Sequence, residues 1–315
     1  MTPSEALASP VFRAYAAIGL GVLVAAGAVI FALGRFTKKD LHHARQSYLA
    51  WVIMTPLAFG AIFLGRGATI TLFTTLAVFG FKEFARATGL YRDWPMTLVV
   101  YLAIIGVGVT SLVHDPASGA PGWYGLFMAM PVYGIAAIML VPIVRNRAQG
   151  QLQALSLAIL GFTYFGWMFG HLAYLANSAQ AYAYLLFLLF SVELADVAAY
   201  AVGRSIGRHR MRSVISPGKT WEGSAGALAA AMLFSLAMWW TMPHFSAWMI
   251  VLVGAIVGIG GQVGDLAVSV VKRDVGVKDM GRLLPGHGGI LDRIDSLIYT
   301  APLFLHLVRY VHDLR

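Results

Sequence analysis

The 315-residue sequence contains no cysteine. Disulfides, thiolate metal sites and cysteine nucleophiles are excluded, although the absence says nothing about compartment. Charge is scarce too: 12% of residues are Asp, Glu, Lys or Arg, against 59% hydrophobic and a mean hydropathy of +0.73. A chain this apolar is not a soluble globule, so the bilayer is its solvent. No internal repeat or low-complexity tract interrupts it, and no histidine pair stands at zinc spacing.

What it has instead is a series of apolar stretches long enough to cross a hydrocarbon core. Ten are expected, near 14–34, 49–65, 68–85, 96–113, 123–144, 154–175, 181–203, 225–242, 246–271 and 296–311. Lipid cannot satisfy backbone amides, and these stretches are too long for barrel strands, so the fold class is all-α, a polytopic membrane protein. The first stretch is too long, and too poor in preceding basic residues, for a cleavable signal; it is read as a retained helix.

The 23 Lys and Arg divide unevenly across these ten helices. Arg13, Arg66, Arg309 and Arg315 fall on one side and all the others on the opposite side. Since cytoplasmic loops keep positive charge, the basic side is expected to face the cytoplasm, with both termini outside it, in a bacterial inner membrane. The net charge of +9 follows from this topology and favours an anionic leaflet; no nucleic-acid partner is expected.

Polar residues are confined to short loops through residues 1–178, which are read as a transmembrane scaffold. Residues 179–315 are read as the catalytic region, with cytoplasmic loops at 204–224 and 272–295. Lys82 and Glu83 mark no more than a helix end.

The densest polar feature is SVVKRDVGVKDMGRLLPGHGGILDRID at 269–295, with five basic residues, four aspartates and a histidine. An ordinary interfacial loop would explain its Lys and Arg but neither the four aspartates nor PGHGG. Asp265, Ser269 and Lys272 share one helix face at i, i+4 and i+7. An ionised aspartate inside an apolar helix costs roughly 2.5–3.5 kcal/mol on insertion scales, so Asp265 must pair, bind metal or face water. Gly254, Gly258, Gly261 and Gly264 before it allow close approach of another helix or of substrate, with plain packing an equal reading. Asp292 and Asp295 fall at i, i+3 near the start of the last helix, where carboxylates also complement the helix dipole. Aspartates converging from separate helices suit Mg²⁺, which takes one or two carboxylates and fills its octahedron with water and phosphate oxygens.

A second feature runs from Asp196 to Gly223. Glu193, Asp196, Tyr200 and Arg204 form a polar stripe on an apolar helix. For Asp196, pairing with a nearby Arg and a functional role weigh evenly. The SPGKT segment at 216–220 fails as a P-loop, because Ser213 stands where that pattern needs glycine. Its Pro-Gly turn can still present Lys219 and backbone amides to a phosphate.

Ser269, Lys272-Arg273, Lys278-Asp279, Gly281, Leu284-Pro285, His287-Gly288-Gly289, Asp292-Arg293 and Asp295 together resemble the signature of the phosphatidate cytidylyltransferase (CDP-diacylglycerol synthase) family. SPGKTWEG and GDLAVS around Asp265 are similar to other segments of that family, so about a third of the chain carries the resemblance. It implies a homodimeric polytopic enzyme that joins CTP to phosphatidic acid, using Mg²⁺, with K⁺ a candidate second cation. Asp265 and Asp292 are expected to hold the metal, with Asp196 as a third ligand. Lys272, Arg273, Lys278, His287 and Arg293 are expected in catalysis. Ser216, Lys219, Thr220, Glu222, Ser269, Asp279 and Asp295 are expected to bind substrate. Two alternatives stay open: a CTP-dependent transferase acting on another lipid phosphate or polyprenyl acceptor, and a secondary transporter.

Overall fold

Prolines and short polar side chains set where several helices begin. The computed structural model describes residues 1–36, 41–281 and 288–311. Thr2 caps α1 (Pro3–Ala8) by accepting from the Glu5 N–H, and Pro3 opens that helix, where a missing N–H does no harm. α2 (Pro10–Phe36) and α3 (His42–Leu64) follow. Gly65, at φ 112°, then turns the chain into α4 (Arg66–Ala87). The Asp93 side chain accepts from Met96 N–H to start α5 (Trp94–Leu112), and α6 is Tyr124–Val144.

α7 (Gln151–Gly161) runs through a π-helical stretch, Phe162–Met168, into α8 (Phe169–Tyr174) and a 3₁₀ turn, so that Gln151–Asn177 is one continuous segment. Then come α9 (Ala181–Ile206), strands β1 (Arg210–Arg212) and β2 (Ser216–Thr220), α10 (Trp221–Ala237), α11 (Ala247–Asp274) and α12 (Leu291–Val311).

Among the described residues eight segments are long and apolar enough to cross a membrane: α2, the Ala44–Leu64 part of α3, α4, α5, α6, Gln151–Asn177, α9 and α11. The chain is an all-α polytopic integral membrane protein. The other two crossings that the sequence predicts correspond to α10, which has 17 residues, and to α12, which carries Asp292, Arg293, Asp295 and Arg309. One feature departs from pure helix. β1 and β2 pair antiparallel, Arg210 with Thr220 and Arg212 with Ser216, where the sequence predicts only a Pro-Gly turn. Pro217 is tolerated because a two-stranded ribbon is all edge, and its missing N–H leaves no neighbour unpaired.

Hydrogen bonds sort the helix ends onto two faces. On one, Arg66 donates to Asn177 Oδ1 and to the Ser111 and Leu112 carbonyls at the end of α5, and Tyr182 donates to the Thr2 carbonyl. On the other, Arg145 bonds Asp93 at 2.6 Å, Glu83 of α4 accepts from Leu291 N–H at 2.9 Å, and Arg273 of α11 donates to the Ile215 carbonyl beside β2. Arg145 and Arg273 on this second face belong to the basic side expected from the sequence, and Arg66 on the first face to the opposite one. Phe81, Phe84, Phe162, Phe165 and Phe169 fill the core between α4, the π-helical stretch and α8, while α2 and α3 lie at the periphery with few buried side chains.

Candidate functional site

Three helices and the hairpin bring charged side chains together on the basic face. Lys219, at the end of β2, meets Asp265 of α11 with Nζ–Oδ2 2.6 Å. Ser269, one turn on, hydrogen-bonds Asp265 Oδ1 at 3.2 Å, as the i, i+4 spacing predicts. Lys272, a further turn along α11, reaches α12 instead: its Nζ lies 2.5 Å from Asp292 Oδ1 and 3.9 Å from Asp295 Oδ2. Arg293 Nε, within electrostatic reach of Glu193 and Asp196, is buried with no hydrogen-bond partner among the described residues. From α9, Asp196 lies within hydrogen-bond reach of Ser296 Oγ, at 3.4 Å, and within electrostatic reach of Asp265, Lys219 and Arg293. Glu193, one turn earlier, faces Asp196 and Arg293.

Asp196 is hemmed in by protein on most sides yet keeps much of its surface accessible, which describes a side chain lining a crevice. Lys219 and Asp265 are also partly accessible, with side-chain exposures of 24% and 30%. Asp295, by contrast, is buried, its carboxylate accepting from Ser296 N–H at 2.8 Å.

Close helix approach makes the arrangement possible. A Cβ on Gly264 would collide with the Asp295 carbonyl, so only glycine lets the first turns of α12 lie against α11. Gly254 and Gly258 do the same for α10: added Cβ atoms would sit 2.8 Å from Met232 Cα and 2.7 Å from Leu228 Cα. The structure bears out the packing reading of the glycine row, and at Gly264 that packing sets how closely Asp295 and Ser296 approach α11.

One participant lies in the segment expected to be scaffold alone. Glu83 of α4 accepts from Leu291 N–H, and added Cβ atoms on Gly281 or Gly289 would overlap its carboxylate. Asp292 Oδ2 accepts from Gly289 N–H at 2.9 Å, and Gly288 takes φ 77°, so the turn into α12 is shaped around two carboxylates. The one available clue in the sequence was a lone carboxylate near the end of an apolar helix, which requires a partner.

Other expected residues serve the hairpin. Thr220 caps α10 by accepting from Gly223 N–H at 3.1 Å. Glu222 holds His209, with Nδ1–Oε1 2.6 Å and two contacts to the backbone N–H. Ser216 stands at the hairpin edge, paired with Arg212. Arg273 donates to the Ile215 and Val277 carbonyls, and Lys278 and Asp279 are exposed in the following turn. Tyr200 and Arg204 are exposed and bonded to each other, with no contact to the acidic cluster among the interactions of the described residues. His287 lies outside the described residues.

Comparison with known sequences decides the affiliation. Residues 45–311 match the model of the cytidylyltransferase family. The chain belongs to that family. Among relatives, this cytidylyltransferase is 33% identical over 251 residues to an uncharacterised protein, YnbB, of Escherichia coli K12, covering 78% of this chain and 80% of that protein. It is 31% identical over 255 residues to a phosphatidate cytidylyltransferase of Staphylococcus haemolyticus, and 30% identical over 257 residues to that of Staphylococcus aureus; each match covers 80% of this chain and 94% of the relative.

Proposed function

We propose that this chain is a phosphatidate cytidylyltransferase, joining CTP and phosphatidic acid into CDP-diacylglycerol and pyrophosphate. The carrying observation is that a match to a cytidylyltransferase family spans α3 to α12 and includes the helix ends where Asp196, Asp265, Asp292, Lys219 and Lys272 converge.

The bond changes are simple. A phosphate oxygen of the lipid attacks the α-phosphorus of CTP in line, the α–β bridging bond breaks, and pyrophosphate leaves with that electron pair. A phosphate monoester has a second pKa of about 6, so the nucleophile is already ionised at neutral pH and needs no general base. The protein's task is to bring two polyanions together and offset their charge.

The acidic residues fit a hard divalent cation. Glu83, Glu193, Asp196, Asp265, Asp292 and Asp295 outnumber Lys219, Lys272 and Arg293. Among the described residues no group of three carboxylates or histidines is arranged to hold a metal by itself; Mg²⁺ takes one or two carboxylates from a protein and completes its octahedron with water and phosphate oxygens. Asp265 and Asp292 would hold Mg²⁺, with Asp196 beside them, and bound there it would neutralise phosphate charge; K⁺ is the candidate second cation. Lys219 and Lys272 then turn from the carboxylates they now neutralise towards phosphate oxygens. Arg293, with a free Nε, joins them, and Arg273, Lys278 and His287 border the nucleotide's entry. Ser269 orients Asp265, and Asp295 holds Lys272 from behind. Thr220 and Glu222 keep the hairpin that carries Ser216 and Lys219.

The positive-inside rule places this face in the cytoplasm, where CTP is dissolved, and the bacterial relatives suggest an inner membrane. Phosphatidate keeps its headgroup at the same level. A homodimer completes the proposal. Purified protein offered labelled CTP with phosphatidate, a polyprenyl phosphate or no lipid tests the reading. Label should enter the lipid phase with phosphatidate; labelling of the polyprenyl phosphate alone would reassign the acceptor, and label in neither would overturn the reaction.

A further inference from the structure

A second hollow, of about 440 Å³, opens on the same face between α2 and α3, away from the acidic crevice. Its walls include Ile30 and Phe31 of α2, and its rim carries Arg35 of α2 with Arg45 and Tyr48 of α3. Gly27 and Gly34 lie two turns apart on one face of α2. They let α3 side chains fold over that helix: an added Cβ would sit 2.5 Å from Tyr48 Oη at Gly27 and 3.1 Å from Arg45 Nη2 at Gly34.

Both guanidinium groups border the hollow, and among the described residues neither is paired with an acid. An anion there would gain charge-assisted hydrogen bonds from them. Below the rim the groove is apolar: Gly27 to Arg35 spans about 12 Å of helix axis, with Phe31 on the way 73% exposed. A cationic rim over an apolar wall at a membrane boundary complements one chemical class, a phosphate headgroup with acyl chains attached. α2 precedes the family-matched residues 45–311, whereas Arg45 and Tyr48 of α3 lie within them, and the groove shares no lining residue with the acidic crevice.

We propose that the α2–α3 groove binds an anionic diacyl phospholipid. Arg35 and Arg45 clamp the phosphate, Tyr48 donates its hydroxyl, and one acyl chain lies along Ile30 and Phe31. The assignment stands independently of the transferase reading.

Native mass spectrometry of delipidated full-length protein, titrated with dioleoyl phosphatidate, phosphatidylglycerol or phosphatidylcholine, tests it. One tight adduct with an anionic lipid is expected. It should weaken by about tenfold or more in Arg35→Gln/Arg45→Gln and be lost in Gly27→Leu, which fills the groove. Both arginines are exposed, so the double substitution removes no packing. Arg86→Gln/Arg92→Gln, which removes two charges elsewhere on the same face, should leave the adduct intact. Equal retention of phosphatidate and phosphatidylglycerol would mark a resident lipid held by its phosphate, and retention of phosphatidate alone would mark a holding site for the monoester. Equal retention of phosphatidylcholine, or equal weakening by the control pair, would overturn the proposal.

Discussion

Gly264→Ala tests whether helix approach positions the site. The added Cβ would fall far inside contact distance of the Asp295 carbonyl oxygen, and 3.2 Å from both the Asp295 carbonyl carbon and Ser296 Cα. The obstacle is backbone, so no side-chain rotation relieves it. Restoring ordinary contact needs the start of α12 to retreat by on the order of 1 Å, and overpacking of this kind typically costs about 1–3 kcal/mol. That retreat carries Asp292 and Asp295 away from Lys272 and Asp265. A misplacement of this size can lower turnover about 100-fold. Gly261→Ala is the internal control, since its Cβ would meet Ser296 Cβ at an ordinary 3.5 Å. Transfer of label from CTP to phosphatidate by purified variants, at saturating lipid, should fall about 100-fold for Gly264→Ala and stay within about twofold for Gly261→Ala. Equal activity in the two variants would refute the reasoning, because the helix contact would then have no bearing on the site.

Two further predictions concern parts of the site that the nucleotide itself need not touch. Glu83→Ala should lower turnover about tenfold or more, the loss of one hydrogen bond to a charged group, while Glu83→Gln, whose amide oxygen can still accept from Leu291 N–H, should recover most of it; equal loss in both would assign the effect to the charge rather than to the turn. Thr220→Ala removes the α10 cap and should destabilise the hairpin by about 1 kcal/mol, read as faster proteolysis at the exposed Arg212 and unchanged cleavage elsewhere.

What the sequence made legible was whatever repeats along one helix. Apolar stretches and the Asp265–Ser269 spacing report local periodicity: among the described residues eight of the ten expected stretches are helices long and apolar enough to cross a membrane, and Ser269 meets Asp265. Contacts between helices were less accessible. Same-helix spacing grouped Lys272 with Asp265, whereas its nearest partners are Asp292 and Asp295 on α12, and Lys219 takes Asp265 from the hairpin. Glu83 looked like a helix end because its partner, the Leu291 N–H, lies 208 residues away. The polar stripe of α9 divides for a similar reason: Glu193 and Asp196 turn towards the crevice, while Tyr200 and Arg204 extend beyond the packed part of the helix. The hairpin was hidden because Ser216–Thr220 has turn chemistry and gains strand pairing only by meeting Arg210–Arg212.

The account rests on carboxylates of different helices holding a divalent cation where nucleotide and lipid headgroup meet. Its most direct test is Mg²⁺-dependent incorporation of labelled CTP into phosphatidate by wild type, Asp265→Ala and Asp292→Ala, titrated over Mg²⁺ with each variant checked for native elution. The account predicts saturable Mg²⁺ dependence in wild type and loss of incorporation in both variants at every Mg²⁺ concentration. Full activity in either variant would remove that carboxylate from the metal site and contradict the account.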